Sequence, residues 1–538
     1  MTKETISNAP WWRGAAIYQI YPRSFADSNG DGIGDLKGIA ARLDHVARLG
    51  VEAVWISPFY ASPMADFGYD ISDYCAVDPM FGTLEDFDAL VTRAKELNLK
   101  IIIDQVYAHT SDRHPWFAES RTSRDNPRAD WYVWADPKAD GTPPNNWQSI
   151  FGGPAWRWDA RRGQYYMHNF LAEQPQLNCH NPEVQDALLG VAKFWLDRGV
   201  SGFRIDALNH AMHDPLLRDN PAASDDTRVR TRPYDFQVQV YNQSHPDLFG
   251  FIERLQALIA SYPGTFSLAE VGGARAGEEM KTFTQGPDRL DSAYGFDFLY
   301  AENLTPRRIA AAQDYWPDEA DVGWPSWAFE NHDAPRALSR WCAPEDIDAF
   351  ARMKTMLLLS LRGNPILFQG EELGLLQDEI PFEMLRDPEA IANWPLTLSR
   401  DGVRTPLPWL AQDEHGGFTA ATPWLPMSAQ NLARAVDRQE ADPDSLLHLT
   451  RRLVALRSGN ASLRRGSCEV VVADETHLVL RRAWDGQSVL TVFNMGPQAT
   501  PWPTEVPTTG EALAAVNDAE AGTLPAWGGI WIIEGETA

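Results

Sequence analysis

Cysteine is scarce in this sequence. Its four cysteines, Cys75, Cys179, Cys342 and Cys468, lie far apart with no Cys-x-x-Cys spacing, so neither a zinc cluster nor a disulfide framework is indicated. They read as free, mostly buried thiols. Long apolar runs are missing as well. No stretch of about 18 apolar residues occurs, and the first residues lack the apolar segment of a secretory signal. The expectation is a cytoplasmic protein with no membrane partner. Positive charge is in deficit, with 47 Lys and Arg against 74 Asp and Glu and a formal net charge of −27. A field of that sign repels nucleic acid and anionic membranes, so neither is expected as a partner. Internal repeats and low-complexity tracts are absent too.

What is present is a chain of 538 residues, 44% hydrophobic and 22% charged, the make-up of a globular enzyme too long for one core. Its first half alternates short apolar runs with amphipathic stretches, the pattern of βα units. Ala15–Ile20, Ala53–Ile56, Lys100–Asp104, Gly202–Asp206 and Phe266–Glu270 read as the first five strands. A sixth is expected near Tyr294–Phe298, a seventh at Ser326–Phe329 and an eighth at Pro365–Phe368. Thr83, with Asp86 three residues on, opens a helix whose apolar face is Phe87, Leu90, Val91, Ala94 and Leu97. The expected fold class is therefore α/β, a (β/α)8 TIM barrel formed by residues 1–110 and 181–461.

Two stretches break the rhythm. Residues 111–180 carry Trp116, Trp131, Trp134, Trp147, Trp156 and Trp158 among Pro, Asn and Gly. An insertion this long reads as a small domain after strand three. A second irregular stretch, about 372–440, follows strand eight. Leu446, Leu449, Leu453 and Leu456 then recur at helical spacing as the closing helix of the barrel. From residue 462 the alternation is of β type, as in Cys468–Ala473, His477–Arg481 and Ser488–Phe493, and predicts a C-terminal antiparallel β-sandwich.

Four strand-like stretches lead into acid or acid-base residues: Asp104 with His109, Asp206, Glu270, and His332 with Asp333. A parallel barrel gathers its chemistry from the ends of different strands. Asp206, Glu270 and Asp333 are 64 and 63 residues apart in sequence, so only the fold brings them together. Glycoside hydrolysis needs two carboxyls about a sugar, one nucleophilic and one held protonated. Any one of these acids alone could be a helix cap. Together, with Arg204 two residues before Asp206, they point to one shared site.

A separate loop spaces oxygen donors two apart: Asp27, Asn29, Asp31, the Ile33 carbonyl and Asp35, with Gly32 at the tight turn. This resembles the first nine positions of an EF-hand loop, but the twelfth position is Gly38 and not the bidentate Glu. One structural divalent cation, Ca²⁺ or Mg²⁺, is expected there.

With Trp11-Trp12, Tyr18–Phe25, the four acidic segments and Arg404–Trp409 in this order, the chain resembles glycoside hydrolase family 13, the α-amylase family. Within it, the chain is similar to bacterial α-glucosidases and oligo-1,6-glucosidases. The resemblance implies Asp206 as nucleophile, Glu270 as general acid/base, Asp333 as the carboxylate on the sugar hydroxyls, and Arg204 as the partner of the nucleophile. It also implies His109 and His332 as donors to hydroxyls, Tyr69 and Phe151 packed on the ring with Phe170 at the substrate, and Asp66 with Arg404 closing the pocket around the terminal 4-hydroxyl. A dead-end pocket implies exo action.

The departures matter too. Ala108 replaces the usual Asn before the histidine, and Gln176 replaces the usual Asp in Gln174–Asn178. Both changes argue against the second calcium site of α-amylases. Asn209 stands where amylases carry Lys, which weakens the case for a long α-glucan cleft. Ala207, where oligo-1,6-glucosidases carry Val, resembles the α-1,4-preferring members. The expected activity is that of a retaining α-glucosidase on maltose or short α-glucosides, with glucosyl transfer to hydroxyl acceptors and no organic cofactor. The alternatives are an oligo-1,6-glucosidase, a sucrose or trehalose isomerase, and the non-catalytic glucosidase-like subunit of amino-acid transporters. That subunit needs a membrane helix and can lose the three acids, all of which are retained here.

Overall fold

The computed structural model describes residues 9–224, 230–273, 275–316, 323–397 and 399–534. Eight parallel strands close into a barrel: β1 (Ile17–Ile20), β2 (Ala53–Ile56), β3 (Lys100–Val106), β4 (Gly202–Asp206), β5 (Phe266–Val271), β6 (Ser292–Gly295), β7 (Trp324–Ala328) and β8 (Asn364–Phe368). Neighbours follow chain order and β8 pairs with β1. Side chains alternate between two environments, as the two-residue period of a strand demands. Ile17, Ala53, Trp55, Ile102, Phe266, Leu268, Tyr294 and Ile366 form an inner core, with Trp11 and Trp12 packed against it. Tyr18, Val54, Ile103, Phe203, Ile205, Ala269 and Leu367 face outward into the larger core shared with the helices.

Two strand ends differ from expectation. β3 runs past Asp104 to Val106, so Asp104 is an interior barrel residue and not a strand terminus. β6 starts at Ser292, whose hydroxyl bonds the Trp324 carbonyl and Ser326, and ends at Gly295. Phe296–Phe298 therefore belong to the loop beyond it. The helix Leu84–Glu96 has the expected capping box of Thr83 and Asp86, and it buries Phe87, Leu90, Val91 and Ala94. The closing helix spans Leu446–Gly459.

Between β3 and β4 the chain forms a three-stranded antiparallel sheet from Trp134–Ala135, Gln164–Met167 and Trp156–Asp159. It has its own small core of Val133, Trp147, Ala155, Trp156 and Met167. Most of the tryptophans in this segment are thus spent on packing, while Trp158 is 45% exposed.

The C-terminal unit is one antiparallel sheet and not the expected sandwich of two. Its strands are β9 (Ser467–Ala473), β10 (His477–Trp484), β11 (Gln487–Asn494), β12 (Glu511–Val516) and β13 (Gly529–Ile533), in the order β9-β10-β11-β13-β12. Leu478, Leu480, Phe493 and Trp531 face the barrel core. Val479, Leu490, Val492, Ile530 and Ile532 pack on the other side against Val506, between β11 and β12, and Leu524, between β12 and β13. The alternation in the sequence is that of a sheet covered on both faces. Barrel helices supply one cover and irregular chain the other.

Candidate active site

Strand register assembles the site. Asp104 is level with Arg204 across β3 and β4, and Glu270 with Tyr294 across β5 and β6. Arg204 and Asp206, two apart on β4, share the interior face. Arg204 Nη1 donates to Asp104 Oδ1 at 2.6 Å and to Asp206 Oδ1 at 2.7 Å, while its Nη2 stands 2.5 Å from Glu270 Oε2. The guanidinium lies over the Trp55 ring, 4.9 Å from its centroid, and donates to the Tyr294 hydroxyl. That hydroxyl donates in turn to Glu270 Oε1 at 3.2 Å.

Three carboxyls on one buried cation cannot all ionise cheaply. Burial, against the pull of Arg204, pushes Asp206 and Glu270 each up to about 7, and Asp104 up to about 6. Near neutral pH the Asp206–Glu270 pair is thus poised to hold one carboxylate and one acid. Asp333 behaves differently. Burial works against its charge, but His332, Arg404 and Arg400 outweigh burial and hold it well below the usual carboxylate range. Burial keeps the His332 ring neutral, lowering it to about 3, so near pH 7 the two arginines carry that effect.

Asp66 and Arg400 pair at the wall of the pocket. Arg400 Nη2 donates to Asp66 Oδ1 at 3.1 Å and to Asp387 Oδ1 at 2.7 Å, and Nη1 reaches Asp333 Oδ1 at 3.3 Å. Its guanidinium rests over Phe151, 5.0 Å from the ring centroid. The sequence expectation gave this place to Arg404. Arg404 instead sits behind Asp333, donating from Nη2 to Asp333 Oδ1 at 2.9 Å and from Nε to the His332 carbonyl at 2.7 Å, and it is 1% exposed. The two arginines begin and follow one short turn, Arg400–Val403. Ser24 donates to the Arg404 carbonyl, and of the two arginines of this turn it is Arg400 that lines the pocket.

This geometry can be set beside known proteins. The family described as "Alpha amylase, catalytic domain" matches residues 19–466. The chain belongs to that family, glycoside hydrolase family 13. It is 50% identical over 530 residues to a probable alpha-glucosidase of Rhizobium meliloti, covering 96% of each chain. To the oligo-1,6-glucosidase of Heyndrickxia coagulans it is 36% identical, covering 90% of this chain and 92% of that one. Among solved structures, the alpha-glucosyl transfer enzyme XgtA superposes with a TM-score of 0.93 at 47% identity, covering 98% of this chain and all of that one. The trehalulose synthase MutB of Pseudomonas mesoacidophila gives 0.88 at 32% identity over the same shares. The chain is a glycoside hydrolase of the α-glucosidase type.

Of the remaining family-implied residues, all but His332 line the same pocket. His109, Tyr69, Phe151 and Phe170 all line it. The Phe170 ring lies 5.2 Å from His109 and 5.8 Å from Phe151 between centroids. Burial lowers His109 to about 3, so its ring is neutral, and Nε2 lies 3.2 Å from the Tyr69 carbonyl. His332 is fully buried, with Gln19 Nε2 donating to its Nδ1 at 2.8 Å. That bond leaves the proton on Nε2, which lies 2.6 Å from the Tyr69 hydroxyl and 3.1 Å from Asp333 Oδ2. Ala207 takes the left-handed conformation, φ 39°, and its N–H donates to Glu270 Oε2 at 3.1 Å.

Sequence reasoning missed Arg400, Gln19, Tyr294 and Gln174. Gln174 Nε2 donates to Asp66 Oδ2 at 3.1 Å and lies equally close to His109 Nε2. The signal for it was its place beside Gln176. Gln176 accepts from Asn169 Nδ2 at 2.9 Å and donates to the His210 carbonyl at 2.8 Å, so side-chain amides join the inserted segment to the barrel here.

The Asp27–Asp35 loop lies away from this pocket. It is a run of Asx turns: Asp27 accepts from the N–H groups of Asn29, Gly30 and Gly32, Asn29 from that of Asp31, and Asp31 from that of Ile33. Asp27 also accepts from Thr419, and these bonds lower its pKa despite partial burial. Asp35 caps the helix Leu36–Arg48 through Gly38 N–H and binds Ser28. Gly32 has φ +91°, and a Cβ there would fall 2.3 Å from the Thr422 carbonyl oxygen. The all-oxygen donor set and its tight turn fit a hard divalent cation.

Proposed function

We propose that this enzyme is a retaining, exo-acting α-glucosidase that removes terminal α-1,4-linked glucose from maltose or short oligosaccharides, with glucosyl transfer to hydroxyl acceptors in competition. One observation carries the reading: the Asp66–Arg400 pair lines the pocket in which Asp206 and Glu270 share a single guanidinium. Read as the closed end of the pocket, that pair admits a chain terminus and not a chain middle.

Asp206, as carboxylate, attacks the anomeric carbon while Glu270 gives its proton to the departing oxygen. The glycosidic bond breaks as the ester bond forms, inverting the anomeric centre. Glu270, now ionised, takes a proton from the incoming hydroxyl, whose oxygen displaces Asp206 and restores the α configuration. Water as acceptor gives hydrolysis; a sugar or alcohol gives transfer. Arg204 stabilises the carboxylates at each stage. Asp333, held ionised by Arg400 and Arg404, offers a permanent negative charge beside the positive charge that develops on the sugar ring.

The small side chain of Ala207, next to the nucleophile, supports the α-1,4 preference. The likeness to an oligo-1,6-glucosidase favours α-1,6 cleavage as the second reading. The Asp27–Asp35 loop is proposed to hold a structural Ca²⁺ or Mg²⁺ that takes no part in the chemistry. Product analysis by NMR on maltose, isomaltose and sucrose tests the proposal. It predicts α-glucose as first product and fastest turnover of maltose, and a β product or a preference for isomaltose overturns it.

A further inference from the structure

Outside the pocket, the end of the inserted segment meets the loop before the helix Leu248–Ala260. There, one ring nitrogen each of His180 and His245 and a carboxylate oxygen of Asp247 lie within 4.8 Å of one another. Local hydrogen bonds fix the rings. His180 Nε2 donates to the His213 carbonyl at 2.7 Å, which leaves a lone pair on its Nδ1. His245 Nδ1 accepts only a long bond, 3.3 Å, from the Asp247 N–H, which a bound ion would displace. Both Nδ1 atoms face Asp247 Oδ2, each at 3.5 Å. One nitrogen of each ring and one carboxylate oxygen thus converge.

That separation has a chemical meaning. It is longer than an N–H···O bond of about 2.7–3.2 Å. It matches the edge, about 3.4 Å, of a tetrahedron of ligands held at roughly 2.0–2.2 Å from a central ion. We propose that His180, His245 and Asp247 bind a transition-metal dication, with water completing the tetrahedron. Two imidazoles and one carboxylate suit Zn²⁺ and exclude the oxygen-seeking Ca²⁺ and Mg²⁺. The His180 Nε2–H···O=C bond is the outer contact that orients a metal-binding imidazole. His213 packs edge-on to His180, 5.3 Å between centroids, and its buried Nδ1 has no hydrogen-bond partner among the described residues. Asp247 is 66% exposed at its side chain, which gives the ion a path from solvent.

The ion would fasten the inserted segment to the loop that carries Ser244, whose N–H donates to the Asn209 carbonyl at 2.6 Å, three residues beyond Asp206. Calorimetric titration of the metal-free, tag-free chain with Zn²⁺ tests the proposal. It predicts one Zn²⁺ per chain at micromolar affinity, about tenfold or more weaker in His245→Ala and in Asp247→Asn, and undisturbed by excess Ca²⁺. X-ray absorption should show two imidazole nitrogens on the bound ion. Circular dichroism confirms that both variants fold, and neither side chain touches the catalytic pocket. Absence of Zn²⁺ binding at submillimolar concentration, or undiminished affinity in both variants, overturns the proposal.

Discussion

The guanidinium of Arg400 stands 3.1 Å from the carboxylate of Asp66, although 334 residues separate them in the chain. Both are buried, so removing the Arg400 charge leaves the Asp66 carboxylate without its cation in a poorly solvated site. Truncating one partner of such a pair typically costs about 2–5 kcal/mol. Arg400→Gln should therefore lower kcat/KM for maltose by roughly 30-fold to several thousand-fold, mostly in KM, because the contact is made in ground state and transition state alike. Steady-state kinetics measure this. A variant with unchanged KM removes Arg400 from the sugar.

Asp206 and Glu270 are expected to fail in different ways. Asp206→Asn should abolish turnover. Glu270→Gln should react slowly with an activated glucosyl donor and then strand the ester for lack of a base. Intact-mass and peptide mass spectrometry should find one glucosyl adduct, on Asp206. An adduct on another residue overturns the assignment.

Much of this site was legible in the sequence because barrel strands are uniform apolar runs, and a charge inside such a run is conspicuous. Arg204, Asp206 and Glu270 stand out in that way. Trp55, Tyr294 and Gln19 do not, since an aromatic or amide in a strand reads as core until register places it against a charge. Arg400 and Arg404 were not separable from sequence, because a short turn decides which of them faces the sugar. The C-terminal alternation announced a sheet with two covered faces but not what covers them.

The raised pKa of Glu270 has a consequence for stability. Its value rises from 4.5 to about 7, chiefly through burial. The folded chain thus binds this proton more tightly than the unfolded chain does. The resulting contribution to stability is complete below pH 4.5 and is lost as pH rises through about 7. Glu270→Gln keeps the neutral form at every pH, so its Tm should equal or exceed wild type at pH 8, by on the order of 1–3 kcal/mol in stability. The gap should close at pH 4 to 5. Thermal unfolding at the two pH values measures it, and a variant less stable than wild type at pH 8 reverses the sign.

For the Asp27–Asp35 loop, chelation should lower Tm while leaving kcat of the still-folded enzyme unchanged. An ion bound only to the native state stabilises by mass action, about 2.7 kcal/mol at a hundred times its Kd. Adding back Ca²⁺ or Mg²⁺ should restore Tm in wild type and fail in Asp31→Ala. If chelation leaves Tm unmoved and elemental analysis finds neither ion, the loop is a turn without a metal.

Ala207 holds φ 39° beside the nucleophile, a conformation costly for a branched side chain. Ala207→Val should therefore destabilise the fold as well as narrow the space beside the leaving sugar. The two effects separate in a ratio. Relative kcat/KM for maltose and isomaltose, measured on one preparation, cancels any loss of folded enzyme. One or two methylenes in a pocket are worth about 1–3 kcal/mol, roughly 10- to 200-fold in discrimination. Wild type should prefer maltose, and Ala207→Val should narrow or reverse that preference. Ala207→Gly, which relieves the backbone and adds no bulk, should be at least as stable and should keep the preference. A wild type that prefers isomaltose, or a ratio indifferent to Val, removes this side chain from the choice of linkage.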